Sequence, residues 1–255
     1  MKKNSEKGVN VAMVGYYNTL PFLYGLKGNK DFNLILDIPS KCIDYFDQGE
    51  ADIALVPVAT LLNREDFKIV TDYCIGCNGE VKTVCVFSNG PLDATITKIY
   101  LDKDSRTSQM LVKLLCYKFW KIDPEFEECN VRNTQPQILK SNEAVLMIGD
   151  KVFEMSQPFA NKYDLGMEWQ KLTGLPFTFA VWIARKNVHQ SIIDKLNQSI
   201  KLGVLDVEAV LSENQGLTTK IDLAEYFKTY IDYRFDSDKK KALKLFYEHN
   251  KISLF

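Results

Sequence analysis

Histidine is almost missing from this chain of 255 residues: there are two, His189 and His249. Both fall in polar C-terminal stretches, so neither reads as a metal ligand or a catalytic base. Phosphate-binding loops are missing too. The chain contains no G-x-x-x-x-G-K-[ST] and no G-x-G-x-x-G, so no nucleotide is indicated. An excess of charge is also lacking. A formal net charge of −1 argues against nucleic acid or an anionic membrane surface as the main partner. The one basic run, Lys239–Lys241, stands beside Asp236 and Asp238 and reads as a solvated helix face. No window approaches the length of a membrane span. The apolar run after the first lysines is short and broken by Asn10 and Gly15, so no secretory signal is read and a cytoplasmic protein is expected.

Cysteine is present but poorly arranged for chemistry. "CIGC", Cys74 to Cys77, has neither a second C-x-x-C nor a histidine pair to complete a zinc site. It follows the strand-like "FKIVTDY" rather than opening a helix, as a redox pair would. Most of the six cysteines are expected to be small buried hydrophobic residues, and Cys74 and Cys77 to bind no metal and form no required disulfide.

What remains is an ordinary soluble mixture, 46% hydrophobic and 25% charged, in a chain long enough to bury a core. Strand-like and helical runs alternate: "VNVAMVG" then "LPFLYGL", "FNLILDI" then "SKCIDYFDQG", "ADIALVP" then "VATLLNR". That order predicts an α/β fold with parallel strands and crossover helices. Ser40 is placed to cap the helix over 40–48, and Gly49 to stop it. After the turn cluster "NGPLD" the pattern restarts with "ITKIYLD" and the helix "SRTSQMLVKLLCYKFW". "FTFAVWIAR" can then cross back, and the rest reads helical over about 192–212, 222–233 and 236–249. Two lobes follow, residues 1–90 with 180–255 and residues 91–179, crossing near 87–92 and 177–183. A ligand cleft is expected between them. A single doubly wound sheet is the alternative.

Two helix starts carry polar groups. In "VGYYNTLPF" the first strand ends in tyrosines, Asn18 and Thr19 follow, and Pro21 is preorganised for a first helical turn. Ser105 stands at the cap of the long helix, with Arg106, Thr107 and Ser108 in its first turn and no acid among them. Such a start suits an anion, since free N–H groups and the helix dipole favour negative charge. Plain helix caps explain both clusters equally well. Facing each other across a cleft, the two would suit a small molecule with two separated anionic groups. Tyr16, Tyr17, Trp169, Phe177 and Trp182 could wall such a cleft, although aromatic residues more commonly build core.

Together "VGYYNTLPF", "GEADIALVPVA", "LDKDSRTS", "LMIGD", "YDLGMEWQKLTGLPF" and "FAVWIAR" resemble the chorismate dehydratases of the futalosine route to menaquinone. The resemblance runs from about Val9 to Arg185. It implies a type II periplasmic-binding-protein fold used as a cytoplasmic lyase, converting chorismate to 3-[(1-carboxyvinyl)oxy]benzoate with no cofactor and no metal. It puts Asn18 and Thr83 in catalytic roles. Tyr17, Thr19, Ser105, Thr107, Ser108, Gly149, Asp150 and Phe177 would bind the substrate. One stretch departs from the family: "CNGEVKTV" carries Cys77, Glu80 and Thr83 where the family has serine, proline and serine. Thr83 keeps the hydroxyl. A carboxylate at Glu80 would repel a dianion, so Glu80 is expected to turn away or to mark a different substrate. Two competing functions share the fold: a non-catalytic small-anion-binding protein, and the sister 1,4-dihydroxy-6-naphthoate synthase, for which a cleft histidine would be expected. No oligomeric state is implied.

Overall fold

The computed structural model describes residues 8–131, 138–154, 158–218 and 220–252. The first strand, β1 (Val9–Val14), is buried from Val11 onward and stops where Gly15 and Tyr16 reach the surface. A 3₁₀ turn, Tyr17–Thr19, leads into α1 (Leu20–Leu26), with Pro21 in its first turn as expected. Then come β2 (Phe32–Asp37), α2 (Pro39–Asp47), β3 (Ile53–Pro57) and β4 (Phe67–Cys77). Pro39, not Ser40, opens α2: Ile38 is the cap residue, and the locked φ of proline starts the helix one position early. "VATLLNR" forms only a 3₁₀ turn over Val58–Leu61, being too short and β-branched for a helix.

The middle of the chain supplies β5 (Val84–Ser88), β6 (Lys98–Asp102), α3 (Arg106–Leu115), β7 (Glu125–Cys129), β8 (Glu143–Ile148), β9 (Asn161–Asp164) and α4 (Leu165–Thr173). The return strand is β10 (Phe177–Arg185), followed by α5 (Gln190–Leu205), α6 (Val207–Glu213) and one turn, α7 (Leu223–Glu225). A π-helical turn, Tyr226–Tyr230, precedes the three-residue β11 (Asp232–Arg234), which the helical reading of this region missed, and α8 (Ser237–Ile252) closes the chain.

These strands form two sheets, ordered β11-β4-β10-β3-β1-β2 and β7-β6-β8-β5-β9. β1 pairs in parallel with β2 and β3, and β6 with β7 and β8. The remaining pairings are antiparallel: β10 with β3 and β4, β11 with β4, and β5 with β8 and β9. The expectation of parallel strands therefore fails at β5 and β10, which enter a new sheet running backward, and at β11 on the edge of the first sheet. The crossings also differ in place. The first occupies residues 78–83 and the second 174–176, since "VKTVCVFS" ends in β5 of the second sheet and Phe177 already belongs to β10.

Helices α1 and α5 pack so closely that each needs a glycine. A Cβ on Gly25 would overlap the Ser199 carbonyl, and one on Gly203 would overlap the Pro21 carbonyl. Backbone atoms cannot swing aside, so the helices would have to separate. Gly25→Ala and Gly203→Ala are each expected to lower stability by about 1–3 kcal/mol despite alanine's better helix propensity. Urea unfolding measures this; an unchanged midpoint in both variants would refute the close crossing.

Candidate functional site

The cavity between the sheets has an empty volume of about 620 Å³ including its open mouth. Of the residues singled out from sequence, Asn18, Thr19, Thr83, Ser105, Thr107, Ser108 and Gly149 line it; Tyr17, Asp150 and Phe177 do not. From the first sheet's side come the end of β1, the following turn and β10. From the other side come Val81, Thr83, the start of α3 and the turn after β8.

At the α3 start, Ser105 Oγ accepts the N–H of Ser108 at 3.2 Å and caps the helix as expected. The N–H groups of Arg106 and Thr107 have no intrahelical partner, by the geometry of any helix start. Arg106, which sequence reasoning placed in the anion cluster but not among the binding residues, lines the cavity with its side chain half exposed. Its guanidinium is 3.7 Å from Asp44 of α2. The Thr107 hydroxyl is already used. It donates to Phe179 O at 3.1 Å and accepts from Ala59 N at 3.2 Å, tying α3 to the first sheet. Thr107 can thus offer a ligand its backbone N–H but not a free hydroxyl.

On the facing side, Thr19 is buried and its hydroxyl donates to Val14 O and Tyr16 O, at 2.6 and 2.8 Å. It shapes the turn and has nothing left to donate. Asn18 differs: its Oδ1 is buried with no hydrogen-bond partner. Gly149 takes φ 71°, and a Cβ there would come within 2.9 Å of the Tyr16 ring. Only glycine lets the second lobe close over that tyrosine.

Asp150 acts behind the cavity. Its carboxylate accepts the N–H of Tyr17 at 3.1 Å, so the turn after β8 holds the turn after β1. Burial pushes the Asp150 carboxyl up to about 6, against the pull of the Tyr17 N–H. Phe177 packs with Trp169, Phe179 and Phe246 as core. Phe179, two residues along the strand, takes the cavity position. Trp169 and Trp182 are fully buried core as well.

The first crossing segment resolves the Glu80 question. The Asp164 carboxylate accepts the N–H of Val81 at 3.1 Å and of Lys82 at 2.7 Å, and Lys82 adopts φ 69°. This twist directs Val81 and Thr83 into the cavity, while Glu80 forms an ion pair with Lys82 outside it. Lys82 also lies 4.5 Å over the Tyr230 ring. Cys74 and Cys77 are buried at the end of β4, where burial raises both thiols above their ordinary pKa.

A family model described as menaquinone biosynthesis matches residues 9–251. A chorismate dehydratase of Thermus thermophilus is 24% identical over 254 residues, covering 91% of this chain and 92% of that protein. Among solved structures, an Archaeoglobus fulgidus protein superposes with a TM-score of 0.74 at 15% identity, covering 98% of this chain and 99% of that one. The periplasmic aliphatic sulphonate binding protein of Escherichia coli follows the same fold, with a TM-score of 0.58 at 14% identity over 97% of this chain and 89% of its own. The fold is therefore the two-lobed, periplasmic-binding-protein-like α/β architecture that the sequence motifs implied.

The Asp150 shift carries a pH dependence. A carboxyl whose pKa is higher folded than unfolded binds more protons in the folded state, so its burial costs nothing at pH 3 and costs most above pH 6. Asp150→Asn keeps an acceptor for the Tyr17 N–H and removes the charge. The variant is expected to gain about 2 kcal/mol over wild type at pH 7, and the gain should vanish as pH falls from 6 toward 4. Denaturant titrations across that range test this, and a pH-independent difference would refute it.

Proposed function

This chain belongs to the menaquinone-biosynthesis family, and from that premise we propose that it is a cytoplasmic chorismate dehydratase, forming 3-[(1-carboxyvinyl)oxy]benzoate. The observation that carries the proposal is the cleft itself, in which a capped helix start with Arg106 faces an unpartnered Asn18 amide oxygen and the Thr83 hydroxyl. Chorismate has two carboxylates and an allylic alcohol, and the cleft offers separate places for anions and for a neutral hydrogen-bonding group.

In the reaction, the ring C–H next to the alcohol carbon breaks and its electron pair becomes a ring double bond. The alcohol C–O bond breaks in turn, and the hydroxyl leaves as water with the released proton. Aromaticity makes the elimination downhill, so the protein's work is orientation and charge placement. The α3 N–H groups and Arg106 hold a carboxylate; Ser108 stands beside them. Asn18 and Thr83 face the alcohol. The proton passes to a substrate carboxylate or a water, since asparagine and threonine are poor bases at neutral pH. Val81, Phe179 and Ile148 supply apolar walls that limit water.

Purified protein mixed with chorismate should produce an aromatic compound lighter by one water, followed by absorbance and mass spectrometry. Binding without turnover would instead favour a ligand-binding protein of this fold. Asn18→Ala is expected to lower kcat roughly 10²-fold with a small change in KM, because the contact matters most as the C–O bond breaks. Asn18→Asp should be equally impaired, since it adds a third negative charge beside a dianion. Full activity in Asn18→Asp would assign a base to this position. Arg106→Gln should mainly raise KM, by about 10-fold, as expected for binding shared by ground and transition states; an unaltered KM would remove Arg106 from substrate binding.

A further inference from the structure

The Thr83 hydroxyl has a partner from a distant part of the chain. Tyr226 Oη lies 2.9 Å from Thr83 Oγ1. Tyr226 is 2% exposed and opens the π-helical turn near the C-terminal end. The ring of Phe153, in the segment after β8, meets it edge-on with centroids 5.4 Å apart. Burial raises the Tyr226 pKa, and its hydrogen bond with Thr83 opposes the rise. Asn18 lines the same cavity as Thr83, and its buried Oδ1 has no hydrogen-bond partner.

Either hydroxyl of this pair can donate. With Tyr226 giving its proton to Thr83 Oγ1, Thr83 keeps its own proton available. Its internal alternative, Val81 O, lies 3.4 Å away, long for a hydroxyl bond. At one corner of the cleft there is thus one acceptor without a donor, Asn18 Oδ1, and one donor without a close acceptor, Thr83 O–H. A carboxylate cannot satisfy this pair, because it has no proton for Asn18. An alcohol satisfies both, giving one proton and accepting another.

We propose that Tyr226 is a positioning residue that orders Thr83, beside Asn18, into a seat for the substrate's departing hydroxyl, and so decides which end of the substrate enters that corner. The proposal rests on the dehydratase reading. Tyr226 itself does not line the cavity and acts through Thr83.

Tyr226→Phe keeps the ring and its packing on Phe153 while breaking the link. Its kcat on chorismate is expected to fall about 10- to 100-fold with KM changed less than about 3-fold, as for one lost orienting bond. Thr83→Val, close in shape and lacking the hydroxyl, cuts the link from the other side and should give the same loss. Inhibition by the product, which has no alcohol to seat, should be alike in wild type and both variants. The double variant should be little slower than either single one, because the two residues act as a unit. Thr83→Val at wild-type kcat, multiplicative losses, or full-speed Tyr226→Phe with active wild type would each overturn this inference alone. Wild-type protein that leaves chorismate unchanged would instead remove the dehydratase reading, and this inference with it.

Discussion

The Asp164 carboxylate accepts backbone N–H groups from two places at once: Gly166 and Met167 at the start of α4, and Val81 and Lys82 in the first crossing segment. Few single groups have more consequences here. A carboxylate with four charge-assisted bonds holds its partners in one geometry, and that geometry includes the left-handed backbone at Lys82. Because of it, Val81 and Thr83 face the cleft, and the charged pair Glu80–Lys82 stays outside. A neutral wall replaces what would otherwise be a carboxylate aimed at an anionic ligand. The Thr83 hydroxyl thereby comes within reach of Tyr226, and Gly149 N can donate to Thr83 O at 2.8 Å.

A few directional bonds join the two sheets' elements beside the apolar core that they share. Thr107 spends its hydroxyl on Ala59 and Phe179, and Asp150 spends its carboxylate on Tyr17. Each bond joins one sheet's elements to the other's. Among the residues lining the cavity, Arg106 carries the charge, and the first N–H groups of α3 have no intrahelical partner. Apolar side chains line most of the rest.

Local order was legible wherever it rested on short-range rules. The strand ending at Val14, proline in the first turn of α1, Ser105 capping α3 and Gly49 ending α2 each follow from backbone preferences over a few residues. Asn18 and the Ser105–Ser108 cluster were singled out by their places at helix starts and line the cavity, whereas Thr83 was singled out through the family resemblance alone. Tyr226 carried no such signal. It sits more than 140 positions from Thr83, in a stretch that reads as an ordinary helix. Phe177 and Phe179 alternate on one strand, and nothing in "FTFAV" states which of the two meets the cavity.

Sequence by itself determined most element types, though not β11 or the 3₁₀ turn at Val58–Leu61, together with the α/β class and the two polar helix starts, because hydrophobic period, caps and turn residues act over a few positions. It also determined that chemistry here would have to proceed with scarcely any histidine. Tertiary structure alone decided the direction of strand pairing, the crossings at 78–83 and 174–176, and which hydroxyls remain free. Those outcomes depend on partners tens to more than a hundred residues away. Thr107 and Thr83 are the same residue type, and only the neighbours that folding brings to each tie one to Ala59 and Phe179 and the other to Tyr226.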